Sequence, residues 1–403
     1  MHSALSRMLL TALLGLILSS CISGIDYGDV PHEVRAAGPR CNPAAVDDGA
    51  ISDKPIFLVT SRLPDCTGDA PALTDFRSSQ LRYGHFSRLA GESKAAKQKT
   101  LLAFAPQHAW WAALETKAKA NEGRVLVFVH GYRETFNTSS RDAAQIARLT
   151  QFSGPVIHYS WPSHGELLSY GVDEANMHWD ERNFRMFLES LAEKPWLKDI
   201  TVVAHSLGTR LVIPAIEYVD RNIAREDAGN ISRIILASPD TDTSAFERDI
   251  GKTILSPNRV ASGRRLTIYV SAKDRALGVS RTLHGYPRLG SPYCFNPFEV
   301  EELKAKGLPA RCYPTKTKGV ETMEESGLTI IDTTGVSVGR SGHSNYLRSA
   351  SACLDFVGTV NKGQGDSRIA THLRHVFKLK PYAKGEEPDH RAICKRGGKR
   401  NKK

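Results

Sequence analysis

A serine hydroxyl becomes a useful nucleophile only when an imidazole takes its proton and a carboxylate holds that imidazole in place. Three residues of this chain have the types and order to do so. Ser206 stands in Ala204-His205-Ser206-Leu207-Gly208. This is the Gly-x-Ser-x-Gly pattern of a sharp strand-to-helix turn, with Ala204 in place of the first glycine. Small flanking residues are needed there because a bulkier side chain would collide with adjacent backbone. Such a turn lifts the hydroxyl out of the sheet, beside a helix N-terminus whose N–H groups face developing negative charge. Taken alone, the pentapeptide also fits a turn that merely ends a buried strand.

The chain has 14 histidines, so the general base must be chosen by position. His343, in Gly342-His343-Ser344, follows the last predicted strand and completes the order serine, acid, histidine. His130 sits in a His-Gly turn and reads as a prop for that loop, while His205 is expected to point away from the Ser206 hydroxyl. Asp274 follows Thr267-Ile-Tyr-Val-Ser-Ala-Lys273, one strand beyond the first strand after Ser206, and is the expected acid. Asp240 is the alternative acid, and a helix N-cap is its other reading. The backbone N–H groups of Leu207 and Tyr132 are the expected oxyanion-hole donors.

The elements that must position these residues follow from the apolar pattern. Val125–Val129 is a continuous apolar run, as expected of a strand buried on both faces. Further strands are predicted at Ile56–Thr60, around Tyr83, and at Val156–Ser160, Ile200–His205, Ile231–Ala237, Leu266–Val270 and Leu328–Ile331. Helices are predicted near Trp110 and over Ser139–Leu149, Glu174–Ala192, Leu207–Val219 and Ser344–Val357. This alternation predicts a doubly wound α/β sheet, mostly parallel, with helices on both faces. In such sheets ligands bind at the carboxyl ends of the strands. His130, Tyr132, Ser206, Asp240, Asp274 and His343 all fall there.

Composition sets the outer bounds. The chain has 403 residues, 41% hydrophobic and 24% charged, which excludes wholesale disorder. Its formal charge is +11. Six of those charges, from Lys395 to Lys403, form a terminal run that reads as a solvated tail rather than a nucleic-acid contact. Residues 1–20 have signal-peptide proportions, and Leu18-Ser19-Ser20-Cys21 resembles a lipobox that would make Cys21 a lipidated membrane anchor. Residues 21–54 read as a tether, 55–358 as the α/β domain and 359–403 as a basic extension. The six remaining cysteines suggest disulfides, by proximity Cys41–Cys66, Cys294–Cys312 and Cys353–Cys394. No cofactor or metal is expected.

Val125-Leu-Val-Phe-Val-His-Gly-Tyr132, Tyr159-Ser-Trp-Pro-Ser163, Ala204-His-Ser-Leu-Gly-Thr-Arg210, Leu236-Ala-Ser-Pro-Asp-Thr-Asp242 and Gly342-His-Ser344 together resemble a group of bacterial α/β-hydrolases of the esterase/lipase superfamily. The resemblance covers about Pro55 to Val357 and is firmest from Val125 to Asp242. It implies an α/β-hydrolase fold, Ser206 as nucleophile and hydrolase activity, and no particular substrate. The cysteine-bearing insertion at about 285–326 and the extension from Asn361 depart from it. The insertion reads either as a lid or as a stapled decoration. Trp161 and Tyr170 read either as pocket lining or as loop packing. The expected activity is cleavage of small-molecule or lipid carboxylic esters, with peptidase, acyltransferase and non-catalytic binding protein as the rivals.

Overall fold

The computed structural model describes residues 41, 55–68, 70–88, 100–223, 231–314, 326–339, 341–365 and 367–382. They form one 11-stranded sheet in the order β10-β11-β9-β8-β7-β6-β4-β5-β1-β2-β3. The strands are β1 (Ile56–Asp65), β2 (Ala72–Arg88), β3 (Thr100–Ala105), β4 (Arg124–Val129), β5 (Val156–Ser160), β6 (Asp199–His205), β7 (Ile231–Ala237), β8 (Arg265–Val270), β9 (Leu328–Asp332), β10 (Arg368–Ala370) and β11 (Val376–Leu379). From β11 to β1 every neighbouring pair is parallel, and only the outer pairings of β10, β2 and β3 are antiparallel.

The central strands are apolar on both sides because helices cover both sides. In β4, Val125, Val127 and Val129 join one core, while Leu126 and Phe128 join the other. The first core is closed by helices α1 (Gln107–Lys119), α3 (Tyr170–Ala192) and α4 (Thr209–Asn222), through Trp110, Phe184 and Leu211 among others. The second is closed by α2 (Phe136–Thr150) and by a C-terminal helix, Ala350–Lys362, through Ile146 and Phe356. The expected doubly wound α/β architecture is the one observed.

Two differences from the expected elements have local causes. The helix expected over Ser344–Val357 is broken into Asn345–Arg348 and Ala350–Lys362, because Ser349 is extended, with ψ near 130°. The sheet also continues beyond residue 358. Arg368 donates through Nε to Asp355 at 2.7 Å, and Asp355 also accepts from the Tyr269 hydroxyl at 2.7 Å. That contact seats β10 and β11 against β9, although their short, partly charged sequences carry little strand signal.

Disulfides join Cys41 to Cys66 and Cys294 to Cys312. Cys353 is also disulfide-bonded. Its expected partner Cys394 lies outside the described residues, as do the expected signal segment, Cys21 and most of the tether. Among the described residues no helix is long and apolar enough to cross a membrane.

Candidate active site

Ser206 has φ of +51°, a left-handed conformation that a non-glycine residue adopts at a cost of about 1–3 kcal/mol. It opens the short 3-10 turn Ser206–Gly208 that links β6 to α4. The strain is held in place by close packing of the elbow on the loop after β4. A Cβ on Gly208 would stand 2.2 Å from the His130 carbonyl oxygen, and one on Gly131 would stand 2.8 Å from Ser206 Cβ. Glycine is thus required on both sides of this contact. Ala204, in the motif's first position, is fully buried.

Asp274 and His343 meet directly. His343 Nδ1 lies 2.8 Å from Asp274 Oδ2, while Asp274 Oδ1 accepts from the Leu277 N–H at 3.0 Å. One carboxylate therefore caps the helix α5 (Arg275–His284) and orients the imidazole. The Arg275 N–H donates to the Ser341 carbonyl at 2.9 Å, tying the loop that carries His343 to the start of the same helix. Burial is the largest single influence and disfavours the imidazolium, but the carboxylates of Asp274, Asp240 and Glu134 together outweigh it. The net effect raises the His343 pKa above its ordinary 6.5. Among the described residues no hydrogen bond joins Ser206 Oγ to the His343 ring. Substrate-free sites of this kind commonly hold the two apart and tighten on binding.

His205 packs against the segment that carries His343. Its ring is 4.9 Å from that of His343 and 5.3 Å from that of Tyr346, and its Nε2 lies 3.3 Å from the His343 carbonyl oxygen. Strand alternation puts it on the side of Val203, and the segment from His343 to Leu347 descends onto that side. Glu134 Oε1 stands 3.6 Å from its Nδ1. Nothing in the spacing of His-Gly-Tyr-Arg-Glu134 marks this contact.

Asp240 is buried, and among the described residues it bonds no histidine. Its carboxylate accepts from the Tyr170 hydroxyl at 2.7 Å and the Ser280 hydroxyl at 2.6 Å, with Arg210 and Arg288 each at 3.5 Å. The N-cap that was its other reading belongs instead to Asp242, which accepts from Ser244 N and Ala245 N. Asp240 N donates to the Ser206 carbonyl at 3.2 Å, so this polar knot lies against the elbow. Tyr170 belongs to the knot.

The loop carrying Tyr132 is fixed from below. Arg62, fully buried, donates to the carbonyls of Glu134 at 2.6 Å and Ser163 at 3.1 Å, and pairs with Asp75 at 2.6 Å. Asp173 accepts from Arg133 N at 3.0 Å and Ser163 Oγ at 2.6 Å. His130 stacks on Trp161 with ring centroids 5.0 Å apart, and the Trp161 indole donates to the His130 carbonyl at 2.9 Å. Burial drives the His130 pKa well below its ordinary value, which keeps the ring neutral. His130 is thus the expected prop, and Trp161, fully buried, is loop packing. Arg62 and Asp173 escape sequence reading because their partners are distant in the chain. Among the described residues no acceptor takes the Tyr132 N–H. Leu207 N lies at the start of a helical turn, where N–H groups lack intrahelical acceptors.

The root of the insertion is built into the body. Leu289 N donates to Thr241 O at 2.8 Å, Gly290 N to Pro239 O at 2.9 Å, and Ser271 N to Gly290 O at 3.0 Å.

A mostly parallel sheet with helices on both faces, and a strained serine on the turn after β6, defines an α/β hydrolase. The chain belongs to the family described as alpha/beta hydrolase of unknown function (DUF900), whose model matches residues 107–353. No curated protein matches the chain.

Proposed function

We propose that the protein is a serine hydrolase that cleaves carboxylic esters through an acyl-enzyme on Ser206. The observation that supports this reading is the Asp274–His343 hydrogen bond in a chain whose Ser206 is held strained on the turn after β6. With Asp274 accepting from Nδ1–H, the free Nε2 takes the proton of Ser206 Oγ as Oγ attacks the ester carbonyl carbon. The N–H groups of Tyr132 and Leu207 hold the resulting oxyanion, a contribution typically worth 10²–10³-fold in rate. Nε2 then returns the proton to the departing alcohol. Water, deprotonated by the same nitrogen, releases the acid and restores Ser206. Because the chemistry stops at an acyl-enzyme, an amide or a second acyl acceptor would use the same groups. Esters are favoured because an alkoxide leaves the tetrahedral intermediate with less protonation than an amide nitrogen needs. The reading includes export, supported by the disulfides, with lipid anchorage at Cys21.

The test compares hydrolysis of a panel of esters by the native chain and by Ser206→Ala. Ester hydrolysis lost in the variant supports the reading. Equal hydrolysis by both removes Ser206 from the reaction.

A further inference from the structure

Exposed large apolar side chains are not scattered over this molecule. Apart from Met186 and Ile369, those of the described residues all lie in the segments that follow β5, β8 and β9. These strands are parallel to β6 or joined to it through parallel neighbours, so their carboxyl ends share the edge that carries Ser206. Leu167 and Leu168 are 65% and 81% exposed, Val279 and Leu283 are 61% and 63%, and Phe298 is 85%. Patches of this kind on a soluble face mark an interaction surface.

Contacts tie them into one face. The Tyr132 hydroxyl donates to the Leu167 carbonyl, the Tyr132 and Tyr170 rings are 5.2 Å apart, and Tyr170 is 5.8 Å from His284 at the end of α5. Helix α5 therefore lies across the top of the site from Asp274 to His284. Its inner side carries Leu277 and Ser280, and its outer side carries Val279 and Leu283 at i, i+4 spacing. Arg281 stacks on Tyr293 at 3.9 Å, and Arg311 and Tyr313 both bond Asp332 at the end of β9. Both feet of the insertion thus stand at this edge. Between them the helix Pro297–Ala305 buries no residue.

We infer that this face docks on an anionic lipid surface, with the catalytic mouth turned towards it. Lys273, Arg275 and Arg281 flank the apolar side of α5, and from Lys273 to His284 the only acid is the buried Asp274. Apolar side chains flanked by cations suit the boundary between headgroups and acyl chains. A second copy of the chain fits poorly, because two-fold pairing would set the same cations against each other. The acids of the outer helix do not cancel the charge of α5: Glu301 and Glu302 pair with Lys304 and Lys306, and Glu299 caps its own helix. Docking is independent of whether Ser206 is acylated. If the hydrolase reading also holds, the substrates are esters dissolved in that lipid.

The test uses the full chain carrying Leu283→Trp, with vesicles of phosphatidylcholine and phosphatidylglycerol bearing brominated acyl chains. Leu283 is exposed, so the change leaves the core intact. The expected result is a blue-shifted tryptophan quenched by the bromines. Met186→Trp, sixteen residues along α3 from Tyr170 and therefore about 24 Å away, should show neither effect. Arg275→Gln with Arg281→Gln should weaken the engagement seen at position 283 roughly thirtyfold, at about 1 kcal/mol per cation. A tryptophan at 283 that stays unquenched on vesicles carrying the chain would mean that an anchor alone holds it, and would overturn the inference. Equal quenching at 186, no vesicle binding, or a dimer that shields position 283 without lipid would overturn it as well.

Discussion

Two opposed influences act on the His343 imidazole, and the balance between them is measurable. Burial favours the neutral ring, whereas the Asp274 carboxylate 2.8 Å away, joined by Asp240 and Glu134, favours the charged one, and the carboxylates together prevail. A general base works only when neutral, so activity falls as pH drops through its pKa. Since that pKa is raised, the acidic limb of kcat/KM is expected above pH 6.5. Asp274→Asn should shift the limb downward and lower turnover by about 10⁴-fold, as pH–rate profiles of both forms would show. Asp240→Asn should act differently. Its carboxylate serves Tyr170, Ser280 and two arginines, so thermal denaturation should report a loss of stability, while the folded fraction keeps most of its turnover. Loss of all turnover in folded Asp240→Asn would transfer the acid role. The meeting of Asp274 with His343 was legible because acid and base follow a fixed chain order in this fold. The surroundings of Asp240 were not, since its partners Tyr170 and Ser280 lie 70 and 40 residues away.

The elements explain why the serine stays strained. The turn after β6 and the loop after β4 touch at glycine, and Arg62 and Asp173 hold that loop from beneath. Gly131→Ala puts a methyl group where Ser206 Cβ leaves 2.8 Å. The neighbouring Tyr132 N–H should then be displaced, with a fall in kcat of about 10²–10³-fold and little change in circular dichroism. Unchanged kcat in that variant would show that the Tyr132 N–H is not used. The central strands were readable because they are buried on both faces and therefore continuously apolar. The break at Ser349 was not, because the Asn345–Arg348 and Ala350–Lys362 segments share one helical pattern and only the backbone at Ser349 separates them.

For the whole molecule, covalent and ionic ties hold segments that the sheet alone does not. The Cys41–Cys66 and Cys294–Cys312 bonds span 25 and 18 residues. Chain-entropy estimates for loops of this size are about 3 kcal/mol each. Reduction should therefore lower Tm, and free thiols in the unreduced protein, counted by alkylation, would contradict the pairing. Arg368→Ala would leave Asp355 buried without its cation, at a cost of about 3–5 kcal/mol, seen as a lower denaturant midpoint. Sequence gave notice of the cysteine pairs through their proximity. It gave none of β10 and β11, whose place depends on a buried ion pair rather than on an apolar pattern.

Whether Ser206 is an activated nucleophile can be read with a fluorophosphonate probe. Such a probe reacts with a serine whose proton an imidazole is ready to take, and it needs no knowledge of the ester. The folded native chain should be labelled covalently, with labelling strongly reduced in His343→Ala and absent in Ser206→Ala. Folded native protein that takes no label, or labelling that survives Ser206→Ala, would show that Ser206 is not the activated nucleophile.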